Sequence, residues 1–272
     1  MAVRAEEIGV KKARLDFGSL FFLSVLAGAF IAFGAVFSTT IATSAGEAMP
    51  YGATRLLSGL VFSLGLILVV VGGAELFTGN NLIVMAWASG RVKTSLLLRN
   101  WLIVYLGNFV GSIGIVLLVY FSGQTSFANG KIGETALAIA NNKTNLDFGQ
   151  AIALGILCNV LVCLAIWLSY GGRSAADKIL AIVPPITAFV ACGFEHSVAN
   201  MYFIPLGLMI KAGAGESFWT EIGKTAADYP SLNIENFFLQ NLIPVTIGNI
   251  IGGAVLVGII YWFIYLRQRS DQ

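Results

Sequence analysis

Charge is what this sequence has least of. Asp, Glu, Lys and Arg make up 11% of its 272 residues, against roughly 25% in an average soluble domain. This small number of charged groups cannot cover a water-facing surface. Lipid must therefore surround much of the chain. The formal net charge is only +2, which excludes the basic field of a nucleic-acid-binding protein. The partner we predict is therefore the lipid bilayer, with no nucleic acid.

Metal-binding and catalytic motifs are also missing. Cys158, Cys163 and Cys192 form no CxxC pair. His196 is the only histidine, so we predict no metal site. The sequence has neither a Walker loop nor a serine nucleophile elbow. It also lacks a polar output domain. We therefore predict a protein that is not an enzyme or a sensor and carries no cofactor.

Long apolar runs are present instead, and a helix needs about 20 apolar residues to cross a bilayer core. Four runs reach this length without interruption: 19–43, 100–121, 149–170 and 239–266. Two longer runs, 56–88 and 179–210, are each interrupted by a polar stretch with glycine. Non-helical backbone at membrane depth is tolerated only inside the protein or along a cavity. We predict six transmembrane helices, with spans 2 and 5 broken.

The distribution of basic residues predicts the orientation. Of the 16 lysines and arginines, eleven fall on the side of the two termini and five on the other side. Both termini are therefore predicted to be cytoplasmic. Residues 1–18 form a cytoplasmic segment, either a helix on the membrane surface or a frayed tail. The outer loops, 122–148 and 211–238, are polar, and each could hold a short helix.

An internal repeat relates the two interruptions, because a set of glycine, glutamate and asparagine residues recurs at identical spacing. The matched residues are Gly73, Glu75 and Asn80 with Gly193, Glu195 and Asn200, and Asn100, Gly107, Asn108 and Gly111 with Asn241, Gly248, Asn249 and Gly252. We predict one transmembrane domain, 1–272, with repeats at 19–121 and 149–266. Three spans in each repeat invert the second relative to the first.

Paired broken helices have a consequence for binding. Their half-helix N-termini direct unpaired N–H groups and positive dipole ends toward the middle of the membrane. Such a site favours an anion or a strong hydrogen-bond acceptor. The sequence therefore indicates a pathway for a solute rather than a simple membrane anchor.

His196 and Thr78 are the candidate functional residues of the two interruptions. An ionisable residue inside a membrane is costly and by default indicates function. A histidine can donate a proton to a passing weak acid. The alternative for His196 is a neutral ring bonded to a loop carbonyl. The Thr78 hydroxyl could bond a permeant, His196 or the local backbone.

Carboxylates and amides form a second group of candidates. We interpret Glu75 and Glu195 as structural residues that accept backbone N–H groups where a helix breaks. Asn80 and Asn200 belong to the same two loops. Interhelical packing is the interpretation for Asn108, whereas Asn249 could pack between helices or face a pore.

The motifs resemble those of the formate/nitrite transporter family, in particular its bacterial formate channel branch. The stretches that carry the resemblance extend over most of the chain: ELFTGNNLIV (75–84), NWLIVYLGNFVG (100–111), SYGGRSAADK (169–178), GFEHSVANMYFIP (193–205) and NLIPVTIGNIIGG (241–253). The resemblance implies an aquaporin-like subunit of a homopentamer in the bacterial inner membrane. It implies passage of formate or related small anions, or of their neutral acids, through each subunit.

The resemblance also implies roles for individual residues. Leu76 and Thr78 match the family's first broken-helix loop, and His196 matches its central histidine. Asn249 matches a pore asparagine and Lys143 a basic residue at the outer mouth. The two narrow apolar constrictions are matched by the following residues: Phe62, Leu66, Val162 and Phe189.

Two mechanisms are compatible with the sequence. A charged anion is expensive in an apolar constriction, and a carboxylic acid of pKa about 4 is only about 0.1% neutral at pH 7. His196 could supply or relay the proton that neutralises the anion. Alternatively, the bare anion passes and the charge of His196 gates it. Nitrite, hydrosulfide and lactate are alternative cargoes. A water or glycerol channel is disfavoured because paired NPA boxes are absent.

Overall fold

The computed structural model describes residues 1–43 and 49–269. Within them the chain is helical and contains no strand, which confirms the all-α prediction. Residues 44–48 of the predicted first repeat and 270–272 of the predicted cytoplasmic C-terminus lie outside the described residues. The helices are α1 (Ala2–Ala13), α2 (Phe17–Thr43), α3 (Tyr51–Gly72), α4 (Phe77–Asn80), α5 (Val84–Ala88), α6 (Thr94–Phe121), α7 (Lys131–Thr144), α8 (Phe148–Ser169), α9 (Ala175–Ala191), α10 (Ser197–Gly213), α11 (Glu216–Ile222) and α12 (Ile234–Tyr265).

Five of the described helices are long and apolar enough to cross a membrane: α2, α3, α6, α8 and α12. Each coincides with one of the apolar runs. In the remaining run, α9 and α10 have 17 residues each. The outer loops contain the short helices expected there, α7 and α11.

Each interruption of the apolar runs contains a non-helical segment, 73–76 in the first and 192–196 in the second. Helix α3 ends at Gly72, and Gly73 has a left-handed backbone with φ of 77°. Gly193, just beyond α9, repeats this conformation with φ of 75°. A residue with a Cβ atom is strained in this region, which explains the glycine at both positions. Helical structure then resumes with α4 and with α10.

The long helices pack closely in two matching arrangements. Helix α2 contacts α3 and α6, and α8 contacts α9 and α12. A Cβ atom on Gly111 of α6 would collide with the carbonyl oxygen of Val25. One on Gly252 of α12 would collide with that of Ile156. Glycine is needed at both contacts because the helix backbones touch.

The N-terminal segment forms α1, which docks on the protein. Its small residues Ala5, Gly9 and Ala13 are buried, and Gly9 lies against Ala86 of α5. Of the two sequence interpretations of this segment, the helix is confirmed and the frayed tail is wrong, while its place at the membrane surface stays a prediction. Small side chains let α1 approach the α4–α5 region closely, so it packs on protein.

Candidate permeation pathway

Thr78 and His196 meet at the centre of the molecule. Each stands where helical structure resumes, Thr78 in the first turn of α4 and His196 directly before α10. Thr78 Oγ1 and His196 Nε2 are 2.9 Å apart, and both residues are buried. The structure thus brings together the two polar candidates, which are 118 positions apart in the chain.

The surroundings of His196 define its hydrogen-bonding form. The backbone N–H of Ala199 donates to Nδ1 at 3.0 Å, so Nδ1 carries no proton. A neutral imidazole then carries its proton on Nε2, and Nε2–H donates to Thr78 Oγ1. The hydroxyl hydrogen of Thr78 remains available to donate. A cationic ring would have N–H groups at both nitrogens, which is incompatible with the Ala199 bond.

Apolar side chains surround this polar pair. Phe62 and Phe189 pack edge to face with ring centroids 5.6 Å apart, and Phe189 stacks on His196 at 5.9 Å. The predicted constriction residues share one buried apolar cluster with Leu76: Phe62, Leu66, Val162 and Phe189. An anion that approaches the Thr78–His196 pair must therefore leave water.

Two cavities approach the pair from opposite sides. The α1-side cavity has a volume of about 200 Å³, and Arg4, Lys12 and Leu76 are among its lining residues. The α7-side cavity has a volume of about 320 Å³, and Lys143 and His196 are among its lining residues. Leu66, Thr78 and Val162 line neither cavity. Leu76 reaches one cavity and the Phe62–Phe189 pair reaches the other.

Asn108 and Asn249 hold the two loops in matching ways. Asn108 Oδ1 accepts the N–H of Phe77 at 2.9 Å, and its Nδ2 donates to the carbonyls of Ser24 and Glu75. Asn249 Oδ1 accepts the N–H of Ser197 at 3.0 Å, and its Nδ2 donates to the carbonyls of Gly155 and Glu195.

The resemblance implied a pore residue at Asn249. The structure directs all of its amide groups to backbone partners and leaves it fully buried. Asn159 adds a further bond by donating to the carbonyl of Asn249 at 2.7 Å. Asn249 therefore positions the loop that carries His196 rather than lining either cavity.

Glu75 lies in a buried network with one lysine and two amides. Lys12 Nζ donates to Glu75 Oε1 at 2.9 Å and to Asn80 Oδ1 at 2.9 Å. Asn80 Nδ2 donates to Glu75 Oε2 at 2.7 Å and to Asn100 Oδ1 at 2.9 Å. The network closes where Asn100 donates to the backbone carbonyl of Lys12 at 3.1 Å.

Glu195 lies in an equivalent network. Lys143 Nζ donates to Glu195 Oε1 at 2.7 Å, and Asn200 Nδ2 donates to Glu195 Oε2 at 2.6 Å. Asn200 also donates to Asn241 Oδ1 at 2.7 Å, and Asn241 donates to the backbone carbonyl of Lys143 at 3.0 Å. Both glutamates thus accept from lysine and asparagine side chains, not from the backbone N–H groups that the sequence suggested. The lysine of each network comes from a helix outside the apolar runs, α1 or α7.

Lys12 is a residue that the sequence reasoning missed. Its counterpart Lys143 was noticed only through the family resemblance. A signal was available, because residues 12–18 and 143–149 share the pattern K-x-x-L-D-F-G. The shared pattern ends in the first turn of the long helix that opens each repeat. Its lysine lies before that helix. The correspondence of α1 with α7 can thus be read from seven residues.

No group of three or more His, Cys, Asp or Glu side chains that could hold a metal occurs among the described residues. The lining of the two cavities instead combines lysine, arginine and glutamate with apolar side chains. This arrangement suits a small solute that exchanges with water on both sides.

Comparison with known proteins gives a consistent family. The model described as "Formate/nitrite transporter" matches residues 1–263. Formate channel FocA of Escherichia coli (strain K12) is 50% identical over 99% of this chain and 94% of that protein. Formate channel FocA of Haemophilus influenzae is 48% identical over 88% of this chain and 84% of that protein. A solved structure described as a pentameric formate channel with formate bound is 48% identical, with a TM-score of 0.88, and covers 92% of this chain and 98% of that one.

Proposed function

The chain belongs to the formate/nitrite transporter family, and on this premise we propose that it is a membrane channel that passes formate. The Thr78–His196 contact at 2.9 Å carries the proposal. It joins two helix starts between two cavities that each contain basic residues. Formate channels at 48% to 50% identity support the cargo.

The proposed topology is six membrane crossings in two inverted repeats. In this topology, crossing 2 consists of α3 with α4 and α5, and crossing 5 of α9 with α10. The matching lysine–glutamate–asparagine networks support an inverted duplication, since they stand at opposite ends of the same central pathway. The chain from 1 to 272 then forms one channel domain of the aquaporin-like type.

The proposed assembly is a homopentamer in the bacterial inner membrane, with both termini in the cytoplasm. The pentamer is described for the structurally similar formate channel. The excess of basic residues on the side of the termini supports this orientation. Each subunit has its own pathway, because both cavities and the Thr78–His196 pair lie within one chain.

Permeation begins with attraction of the anion into a cavity. Basic side chains and the N-terminal ends of α4 and α10 favour a negative charge there. Entry between Phe62 and Phe189 removes water, and the hydroxyl hydrogen of Thr78 can then donate to the permeant. His196 Nε2–H supports this donor because it donates to Thr78 Oγ1 and leaves the hydroxyl hydrogen free for the permeant.

His196 is proposed as the pH-dependent element. A proton can bind at Nδ1 only when the bond from Ala199 N–H is released, because two donors would otherwise face each other. The ring can then supply the proton that neutralises formate for passage. In the alternative mechanism the bare anion passes and the charge on His196 gates it. In both mechanisms, proton binding by His196 requires release of its bond to Ala199 at the start of α10.

The cargo can be tested with purified protein in liposomes. Formate entry would be measured alone and with nitrite, hydrosulfide or lactate as competitor, and ion currents would be recorded in parallel. We expect formate to enter fastest and the other anions to compete weakly. A preference for one of the competitors would overturn the formate proposal while leaving the family unchanged. If the current carries one charge for each formate that enters, the permeant is the bare anion.

A further inference from the structure

We propose that Arg55 and Ser58 of α3 form a binding station for a monovalent oxoanion in the α7-side cavity. The station precedes the Phe62–Phe189 pair, so it deepens the proposed function and rests on it. Arg55, Ser58 and Phe62 are spaced by three and four positions and therefore share one face of α3. All three line the α7-side cavity. With a rise of 1.5 Å per residue, they cover about 10 Å of pathway.

Ser58 supplies a donor that the fold does not use. The residue is 2% exposed, and its buried Oγ has no hydrogen-bond partner among the described residues. Leaving a buried hydroxyl unpaired is unfavourable by about 1–3 kcal/mol. Because Ser58 lines the cavity, an oxygen of a passing anion can accept this hydrogen.

Arg55 is fixed at the cavity wall with donors to spare. Its Nε donates to the carbonyl of Ala191 at 3.2 Å, and its Nη2 donates to the carbonyl of Val190. These bonds hold the guanidinium against the C-terminal end of α9. A guanidinium has five N–H groups, so three remain for a ligand. Its planar fork matches the two oxygens of a carboxylate or of nitrite.

The charge balance of the cavity favours an anion at Arg55. The charged residues that line it are Arg55, Lys143 and Glu195. Lys143 and Glu195 neutralise each other at 2.7 Å. Arg55 is therefore the cation of this cavity for which the described residues provide no carboxylate. A cation in a cleft with apolar walls raises the local concentration of anions.

The test measures formate entry into sealed right-side-out vesicles from cells that lack other formate transport. The half-saturating formate concentration and the maximal rate would be compared for wild type, Arg55→Gln, Arg55→Lys and Ser58→Ala. Lys131→Gln is the matched control, because it removes a cation of α7 that pairs with Glu134 and does not line the cavity. Size-exclusion chromatography would verify that each variant assembles like the wild type.

We expect Arg55→Gln to raise the half-saturating concentration about five- to tenfold, and Ser58→Ala about two- to threefold, with maximal rates within about twofold. Arg55→Lys, which keeps the charge but loses the planar fork, should give a value between those of wild type and Arg55→Gln. The effect of Arg55→Gln should grow at low ionic strength, where charges are screened less. Lys131→Gln should leave the half-saturating concentration unchanged.

The station is overturned if Arg55→Gln has the same half-saturating concentration as Lys131→Gln. It is also overturned if Arg55→Gln lowers only the maximal rate or the assembly yield, since Arg55 would then only cap α9. A wild-type rate that does not saturate with formate would contradict it as well. A wild type that moves no small anion would overturn the proposed function together with the station. If the wild type transports formate and the Arg55 and Ser58 variants have its half-saturating concentration, the station alone is overturned.

Discussion

The loop between α3 and α4 and the loop between α9 and α10 share a scaffold but differ where they meet the pathway. When Glu75 is aligned with Glu195, the glycine, glutamate and asparagine of both loops coincide. The other positions of the two loops differ, and among them Leu76 falls opposite His196 and Thr78 opposite Val198. Each loop therefore contributes one polar and one apolar residue, in reverse order.

This difference explains how a symmetric scaffold can hold an asymmetric site. A leucine at position 196, copying Leu76, or a valine at position 78, copying Val198, would remove one member of the Thr78–His196 pair. Divergence supplies one ring nitrogen and one hydroxyl, which bond between the two loops at 2.9 Å. The repeated glutamates and asparagines bond within the two networks, whereas the Thr78–His196 bond is made by residues that differ between the loops.

The largest expected effect comes from breaking the network on the α7 side. Lys143→Met leaves Glu195, whose side chain is 6% exposed, without its cation. We expect a loss of about 3–5 kcal/mol in unfolding free energy, measured by denaturation of the purified protein in detergent. The double variant Lys143→Met, Glu195→Leu should recover part of the loss, because it removes the unpaired charge. A single variant as stable as wild type would contradict the importance of this pair.

The matching change on the α1 side tests the Lys12–Glu75 pair. Lys12→Met should destabilise less, by about 1–3 kcal/mol, because the Lys12 side chain is 25% exposed. The same denaturation experiment measures the effect, and Lys11→Met is the control, since no described residue pairs with Lys11. Equal losses of unfolding free energy for Lys12→Met and Lys143→Met would contradict the smaller effect expected for Lys12. They would mean that α1 and α7 stabilise the fold equally.

A substitution at Thr78 removes the difference between the loops. Thr78→Val copies the residue of the second loop and removes the acceptor of His196 Nε2–H. We expect formate flux in liposomes to fall about tenfold, which corresponds to one lost hydrogen bond in the pathway. Val198→Thr is the mirrored control and should retain more than half of the flux. Equal losses in both variants would contradict a specific role for the Thr78 hydroxyl.

The smallest effect concerns Glu134 on α7, which pairs with Lys131 and Lys224. The hydrogen bond from Lys131, and then that from Lys224, hold the pKa of Glu134 below its ordinary value of 4.5. A lowered pKa stabilises the fold above pH 4.5 and loses this contribution as the pH falls through the folded value. We expect under about 1 kcal/mol.

The measurement compares wild type with Glu134→Gln by thermal unfolding at pH 7 and at pH 3. The wild type should lose slightly more stability than the variant on acidification. A variant that loses more than the wild type would reverse the expected sign.

The sequence predicts the loops better than it predicts their partners. The repeated Gly–Glu–Asn spacing identifies both interruptions, because carboxylates are unusual in apolar runs. Spacing cannot show which groups a carboxylate will meet, since Lys12 and Lys143 reach the loops from helices distant in the chain. The bond from Ala199 N–H to His196 Nδ1 also depends on the local turn, so the form of the histidine could not be predicted.

The measurement that tests the account most directly is formate flux from pH 5 to pH 8 in liposomes, for wild type and His196→Asn. Asn can still accept a backbone N–H but cannot bind a proton in this range, so it separates the two roles of His196. We expect the formate flux to vary with pH in the wild type and to stay nearly constant in the variant. An unchanged pH profile in His196→Asn would contradict the assignment of His196 as the pH-dependent element.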